Sequence, residues 1–227
     1  MSVVLLSLAA MLGQSLQNLQ QKDFGFDPRG RYLVYVNAKL AGFEQEQLAP
    51  LFRQIADRLR AVPGVRNVSS ALYAPMSGYY WGREIRIAGG RDTGAISSAW
   101  TRVTPAFFET LGNTIVRGRP ITESDTANTQ PVAVVNEAFV KKFFGNRNPL
   151  GQRFGPAPHA DLYEIVGVAS DMRYFADAWE AIPMYFVPHT QTSHFDNPSL
   201  ESREIWSQFF NTIIIWRLER HLTSRSR

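Results

Sequence analysis

The sequence predicts an α+β fold with two lobes, and three features of its 227 residues carry this prediction. A strand, an amphipathic helix and a second strand follow one another between residues 32 and 72. Short apolar runs separated by turn residues then occupy the chain from residue 75 to residue 190. A last branched run, Thr212 to Leu218, follows a polar stretch, and its composition is typical of one more strand.

The first unit begins with Tyr32 to Ala38, whose aromatic and β-branched residues predict a strand. A helix is expected from Gly42 onward, because apolar residues there recur at three- and four-residue spacing. These residues are Leu48, Leu51, Phe52, Ile55, Leu59 and Val62. Pro63 and Gly64 end the helix, and Val65 to Leu72 predicts a second strand. Such a strand–helix–strand unit is the building block of ferredoxin-like α/β layers.

The elements after Pro75 are shorter. Polar and apolar residues alternate from Glu84 to Ile87, which is typical of a half-exposed strand. Thr104 is predicted to cap a short helix that closes at Gly112, and Asn136 a helix that runs to Phe144. Four further runs predict strands: Ala95–Val103, Val132–Val135, Tyr163–Val168 and Pro183–Val187.

The composition is that of a folded protein, with 44% hydrophobic and 19% charged residues, so disorder is excluded. The net charge of +4 comes from scattered basic residues, densest in the tail from Arg217 to Arg227. A cationic tail of this kind is typical of a solvated end, and we expect no nucleic-acid partner. The absence of cysteine excludes disulfides, thiolate zinc sites and cysteine nucleophiles.

The chain opens on an apolar run, Val3 to Leu12, interrupted only by Ser7. A membrane-spanning helix needs about 20 apolar residues, and this run is shorter. A secretory signal carries Lys or Arg ahead of its apolar stretch, and none stands here. Three interpretations remain: the distal half of a transmembrane helix, a signal-like anchor, or a buried globular helix.

An ordered series of short motifs between Gly25 and Pro188 resembles the MacB-like periplasmic core domain of FtsX-type ABC transporter permeases. The motifs are Leu59–Val65, Leu72–Pro75, Val103–Gly112, Arg117–Thr122 with Asp125, Val134–Phe139, Asn148–Gly151 and Tyr163–Val168 with Asp171. Gln14-Ser15-Leu16 followed by Gly25-Phe26-Asp27 is similar to an acidobacterial-type subgroup of these permeases.

The resemblance implies a division of the chain. Residues 1–22 would be the distal part of an N-terminal transmembrane helix, which the resemblance favours over the other two interpretations. Residues 23–74 would be the first half of a porter-like lobe, and residues 75–190 an inserted strand-rich (Sabre-like) lobe. Residues 191–227 would be a loop and the first strand of the second porter half. Because that half continues in the family through a helix, a strand and three transmembrane helices, we expect a fragment.

The resemblance also implies a function. The chain would be a non-catalytic extracytoplasmic domain at the bacterial inner membrane, coupling ATP-driven membrane-helix movement to export or to a partner on the outer face. Its partners would be a separate ABC ATPase subunit, reached through membrane helices, and a permease dimer or periplasmic adaptor. No Gly-x-x-x-x-Gly-Lys-Ser/Thr loop occurs, so ATP would be bound by the separate subunit. The alternative is a stand-alone periplasmic ligand- or peptide-binding module of the same fold.

No catalytic residue, cofactor site or metal site is predicted. Asp92-Thr93-Gly94 matches the tripeptide of aspartic proteases, but Gly89 and Gly90 precede it where an apolar strand should stand, which favours a turn. The sequence shows no His-x-x-x-His pair, and the histidines are expected in surface loops: His159, His189, His194 and His221. The serines lack a Gly-x-Ser-x-Gly elbow. Arg117-Gly118-Arg119 is interpreted as a turn with solvated arginines rather than an anion site.

One aromatic group remains as a candidate interaction site. Tyr79, Tyr80 and Trp81 stand between Gly78 and Gly82. Exposed aromatic residues anchor protein interfaces, so this group predicts a partner-contacting loop. Packing between the two lobes is the alternative interpretation.

Overall fold

The computed structural model describes residues 7–8, 10–14, 24–78, 80–89, 97–174, 180–191, 202, 208 and 210–217. Apart from the helical residues 7–8, 10–14 and 202, the helices within the described residues are α1 (Gln45–Arg60), α2 (Phe107–Leu111) and α3 (Glu137–Phe143). Its strands are β1 (Arg31–Asn37), β2 (Val65–Ala71), β3 (Trp81–Ile87), β4 (Ser97–Val103), β5 (Ile115–Gly118), β6 (Val132–Asn136), β7 (Arg153–Pro156), β8 (Tyr163–Ala169), β9 (Met184–Pro188) and β10 (Phe210–Arg217).

The first lobe is a three-stranded antiparallel sheet with one helix on it, and we call it the sheet lobe. β10 lies in the middle, paired with β1 on one side and β2 on the other. α1 packs on the face to which Val36 contributes, burying Leu48 and Phe52 beside Ala38. The predicted strand–helix–strand unit is therefore confirmed. α1 begins at Gln45, three residues after the start that the sequence predicted at Gly42.

The second lobe, residues 81–188, contains a closed barrel, and we call it the barrel lobe. β3 pairs with β4, β4 with β9, β9 with β6, β6 with β8, β8 with β7, and β7 again with β3. Six strands thus form a ring, and β5 pairs with β8 beside it. Closure removes the free edges that an open sheet of these strands would leave.

Aromatic side chains fill the barrel. Trp100 of β4 stacks on Tyr185 of β9 with ring centroids 6.3 Å apart, and Phe154 of β7 lies 5.2 Å from Tyr185. α3 covers one end of the barrel, where the ring centroids of Phe139 and Phe154 lie 5.0 Å apart. The Asn136 side chain accepts a hydrogen bond from the Phe139 N–H at 2.9 Å, which confirms the predicted N-cap of this helix.

A second apolar cluster lies outside the barrel, where the two lobes meet. Phe107 and Phe108 of α2 pack there against Phe186 of β9 and Ile214 of β10. β6 and β9 are buried on both faces, because alternate residues such as Val134 face this cluster while their neighbours face the barrel interior. Burial on two faces explains why both strands are continuously apolar in sequence.

The predicted cap at Thr104 is wrong. Ala106 precedes α2, and the Thr104 hydroxyl instead accepts a hydrogen bond from the Ser70 N–H at 2.9 Å. That bond joins the end of β4 to β2, beside the Ala71–Val103 pairing. A side chain used between strands is not available to the helix. Gly112 closes α2 in the left-handed conformation, at φ 69°, as predicted.

The start of the chain is described only in part. Residues 7–8 and 10–14 are helical, and Leu8, Met11 and Leu12 are exposed there. No helix within the described residues is both long enough and apolar enough to cross a membrane. The remaining residues of the predicted membrane segment lie outside the described part of the chain.

Candidate functional site

The predicted aromatic loop divides into an outward part and a packed part. Tyr80 is 53% exposed at the end of the segment that joins β2 to β3. Trp81 is the first residue of β3 and lies opposite Trp100 of β4, with ring centroids 5.9 Å apart. Tyr79 lies outside the described residues. Within the described part of this loop, the Tyr80 side chain therefore faces outward, while Trp81 packs against the barrel.

Two arginines lie beside the Trp100 ring, and they were not predicted from the sequence. Arg83 is 8% exposed, and its guanidinium carbon lies 4.6 Å from the centroid of the Trp100 ring. The guanidinium carbon of Arg102 lies 5.8 Å from the same ring. The electron-rich face of an indole attracts such cations. Side chains alternate between the two faces of a strand, so Arg83 shares a face with Trp81, and Arg102 shares a face with Trp100. Trp81 is paired with Trp100, which places all four side chains on one face. This alternation is the sequence signal from which the two arginines could have been predicted.

A second candidate region is the segment Phe24–Arg31, which leads into β1 and ends at its first residue, and which we call the leading segment. Asp27 accepts hydrogen bonds from the side chain of Arg29 at 3.0 Å and from Arg31 at 2.9 Å. Burial raises the pKa of Asp27, but the hydrogen bonds from Arg29 and the charges of Arg31 and Arg29 outweigh it, so the pKa lies below its usual value. Asp27 is thus a carboxylate at neutral pH.

Arg31 connects the leading segment to both lobes. Its Nε donates to the carbonyl of Thr110 in α2 at 3.0 Å. Its guanidinium carbon lies 4.4 Å from the ring of Trp216 in β10, so the same side chain also contacts the sheet lobe. The Asp27 N–H donates to the Leu111 carbonyl at 2.9 Å. One short stretch of chain is therefore bonded to the helix at which the lobes meet.

The start of the leading segment is bonded to the barrel lobe as well. Asn113 donates from its side-chain amide to the Gly25 carbonyl at 2.9 Å, and the Arg173 N–H donates to the Phe24 carbonyl at 2.9 Å. Gly25 has φ +73°, and a Cβ there would lie 1.9 Å from the Asp171 carbonyl oxygen. Only glycine allows this close approach of the two backbones.

The other candidates from the sequence stand as follows. Asp92-Thr93-Gly94, His194 and His221 lie outside the described residues. Arg117 and Arg119 are exposed, as predicted, and Arg119 is also paired, because its Nη1 and Nη2 each donate to an Asp125 carboxylate oxygen at 2.8 Å. His189 lies in the turn that follows β9 and is half-buried, and burial and then the charge of Arg102 lower its pKa to about 4. Among the described residues, no three His, Asp or Glu side chains come together as metal ligands would.

A family model covers nearly the whole chain. The model for the MacB-like periplasmic core domain matches residues 1–216. This chain belongs to that family. The family comprises extracytoplasmic domains of ABC transporter permeases of the MacB/FtsX type, and the resemblance inferred from the motifs is confirmed.

Two solved structures are similar to this chain. The periplasmic region of MacB from Actinobacillus actinomycetemcomitans is 15% identical, with a TM-score of 0.52 over 91% of this chain and 82% of that one. The extracellular domain of the ABC-type transporter YknZ from Gram-positive bacteria is 13% identical, with a TM-score of 0.49 over 83% of each chain. No curated protein matches the sequence. The MacB structure confirms the α+β fold class of this MacB-like domain.

Proposed function

We propose that this MacB-like domain is a non-catalytic coupling element of an ABC permease. It receives movement of membrane helices that a separate ABC ATPase drives, and it conveys that movement to the outer face. The leading segment is the observation that carries this proposal, because its hydrogen bonds reach β10 and α2 together. A displacement of the chain ahead of Phe24 would thus reach both lobes at once.

The proposed division of the chain follows the same logic. The N-terminal residues 1–22 would enter from the membrane, residues 23–74 would form the first half of a porter-like lobe, and residues 75–190 the inserted lobe. Residues 191–227 would begin the second porter half. The three-stranded sheet with α1, and the separate barrel from β3 to β9, support this division.

The exposed end of the aromatic loop is the proposed contact with a partner. Tyr80 presents a large amphipathic ring to the outside, while the Trp81–Trp100 packing holds the loop in place. An exposed aromatic side chain on a rigid support is typical of an interface anchor. The partner would be a second permease copy or a periplasmic adaptor.

The coupling proposal is tested by separating ATP hydrolysis from movement of the domain. The chain has no cysteine, so a dye attached to Asn146→Cys in the barrel lobe is its single label. A permease carrying this chain is reconstituted with its ATPase in lipid nanodiscs that contain acceptor lipids. Energy transfer between dye and lipids is expected to differ between the ATP-bound and ADP-bound complexes.

Two glycine variants form a matched pair for this experiment. Gly25 and Gly42 both have positive φ, +73° and +80°, but a Cβ at Gly42 meets nothing within 4 Å. Gly25→Ala is therefore expected to abolish the nucleotide-dependent difference while ATP hydrolysis continues, and Gly42→Ala to preserve it. A full response in Gly25→Ala would refute transmission through the leading segment. A response absent from the unmodified protein would refute coupling altogether.

A further inference from the structure

A large cavity lies between α1 and the barrel lobe. Its volume is about 720 Å³, within the range of roughly 300–1,000 Å³ that small-molecule sites occupy. α1 forms one wall, the segment 121–128 of the barrel lobe forms a second wall, and β2 and β10 form the floor. Neither the aromatic loop nor the leading segment contributes a lining residue, so the cavity is separate from both.

Most of the charged side chains that line the cavity already have partners. Asp57 accepts a hydrogen bond from Arg60 at 2.8 Å, and both residues line the cavity. Asp125 accepts from both Nη atoms of Arg119 at 2.8 Å. Arg102 is only 6% exposed and is engaged with neighbouring residues. These groups therefore offer no free charge to a ligand.

Among the described residues, two lining charges remain, and they have opposite signs. Arg53 belongs to α1, and Glu123 belongs to the segment 121–128. Both residues are exposed, and within the described part of the chain neither side chain forms an ion pair or a hydrogen bond. The first wall thus presents a cation to a ligand, and the second wall presents an anion.

The floor of the cavity carries no ionisable side chain. Its lining residues from β2 and β10 are Val68, Ser69, Ser70, Asn211 and Ile213. His189 also lines the cavity, and it is uncharged at neutral pH because burial and then the charge of Arg102 lower its pKa to about 4. An uncharged floor between walls of opposite charge suits a ligand that carries one charge at each end.

We propose that this cavity binds a linear zwitterion, with its carboxylate beside Arg53 and its ammonium group beside Glu123. This chemical class includes ω-amino acids and short peptides. The two ion pairs would each contribute modestly, because an exposed pair is worth up to about fivefold in affinity. The proposal does not depend on the coupling function, since the leading segment does not touch this cavity.

Titration calorimetry of the full chain with ω-amino acids of different length tests the proposal. The probes are 4-aminobutanoate, 6-aminohexanoate and 8-aminooctanoate, and each is compared with the alkanoate and the alkylamine of the same length. The best-fitting zwitterion is expected to bind at least about threefold more tightly than either analogue, because each analogue lacks one ion pair. If no zwitterion binds more tightly than its two analogues, the proposal is overturned.

Variants that remove one charge assign the two ends of the ligand. Arg53→Gln is expected to remove the advantage of the zwitterion over the alkylamine, and Glu123→Gln its advantage over the alkanoate. Arg58→Gln and Glu109→Gln are the matched controls, because both residues are exposed and neither lines the cavity. Both controls should keep both advantages. Advantages that persist in Arg53→Gln and Glu123→Gln, or that disappear in the controls, would overturn the site.

Discussion

Asp125 lies inside the turn that follows β5, with a side chain only 6% exposed. Burial raises its pKa, but the hydrogen bond from Arg119, the Thr122 N–H and the charge of Arg119 outweigh burial, and the pKa lies below its usual value. Because the folded pKa is the lower one, ionisation of Asp125 stabilises the fold above the pKa of the unfolded chain. That stabilisation is lost as the pH falls through the folded pKa.

Asp125→Asn is expected to lower the free energy of unfolding by about 1–3 kcal/mol at pH 7, the value typical of hydrogen bonds to a charged group. The difference from the unmodified chain should shrink as the pH drops below about 4, where the unfolded carboxylate takes up its proton. Urea unfolding at several pH values measures it. Glu123→Gln is the control, since Glu123 is exposed two residues away, and it should have no effect at any pH. A pH-independent Asp125→Asn effect would contradict this account.

Tyr80 and Trp81 are adjacent, yet opposite results are expected for their alanine variants. Trp81→Ala removes a ring packed on Trp100 and should destabilise the domain by about 2 kcal/mol. Tyr80→Ala should change stability by less than about 0.5 kcal/mol, because the ring is mostly exposed. Thermal unfolding measures both. Association of the permease with its partner should weaken in Tyr80→Ala, and unaltered association in this stable variant would remove Tyr80 from the interface.

At the scale of elements, Asn136 joins a helix to a strand. Its Oδ1 accepts from the N–H groups of Phe139 at 2.9 Å and Met184 at 2.8 Å, and its Nδ2 donates to the Ile182 carbonyl at 2.8 Å. One side chain thus caps α3 and pairs with the start of β9. The helix that covers the barrel end is thereby held in position relative to a barrel strand.

Asn136→Ala should lower the free energy of unfolding by about 2–4 kcal/mol, because it removes the N-cap of α3 and leaves buried backbone groups without hydrogen-bond partners. A cap alone is worth about 1 kcal/mol, so a cost of that size would show that the bonds to β9 contribute nothing. Chemical denaturation gives the value. Asn148→Ala is the matched control, because Asn148 accepts only an exposed bond from the Leu150 N–H at 3.2 Å, and it should cost less than about 0.5 kcal/mol.

At the scale of the whole molecule, the two lobes differ in how completely they are enclosed. The barrel strands have partners on both sides and an interior filled by aromatic rings. In the sheet lobe, β1 pairs within the described residues with β10 alone, and four consecutive residues from Tyr32 to Tyr35 are exposed. Among the described residues, the cluster under α1 contains three buried members. The barrel lobe should therefore be the more stable part of the molecule.

Hydrogen exchange of the native protein checks this difference. Amides of β6, between Val132 and Asn136, should exchange only on global unfolding, because the strand is buried on both faces. Amides of β1 should exchange at least about tenfold faster, since local opening of an edge strand costs less free energy. Equal protection of the two strands would show that the lobes unfold as one cooperative unit.

Most of the elements were predictable from sequence, and so was the family, because each depends on local pattern. α1, β6 and β9 carry apolar residues at helical or continuous spacing, and Asn136 and Gly112 are ordinary cap residues. β5 and β7 were not predicted, since each has four residues and little apolar pattern. The Thr104 cap was wrong because its hydroxyl has a partner 34 residues away in sequence.

The sequence by itself determined the α+β class, the order of the main elements and the membership of the MacB-like family, because periodicity, cap residues and ordered motifs are local properties of the chain. Only the tertiary structure decided that six strands close into a barrel, that Tyr80 faces outward while Trp81 packs inward, and that Arg31 reaches both lobes. These features depend on pairings between residues distant in sequence, and no local pattern specifies them.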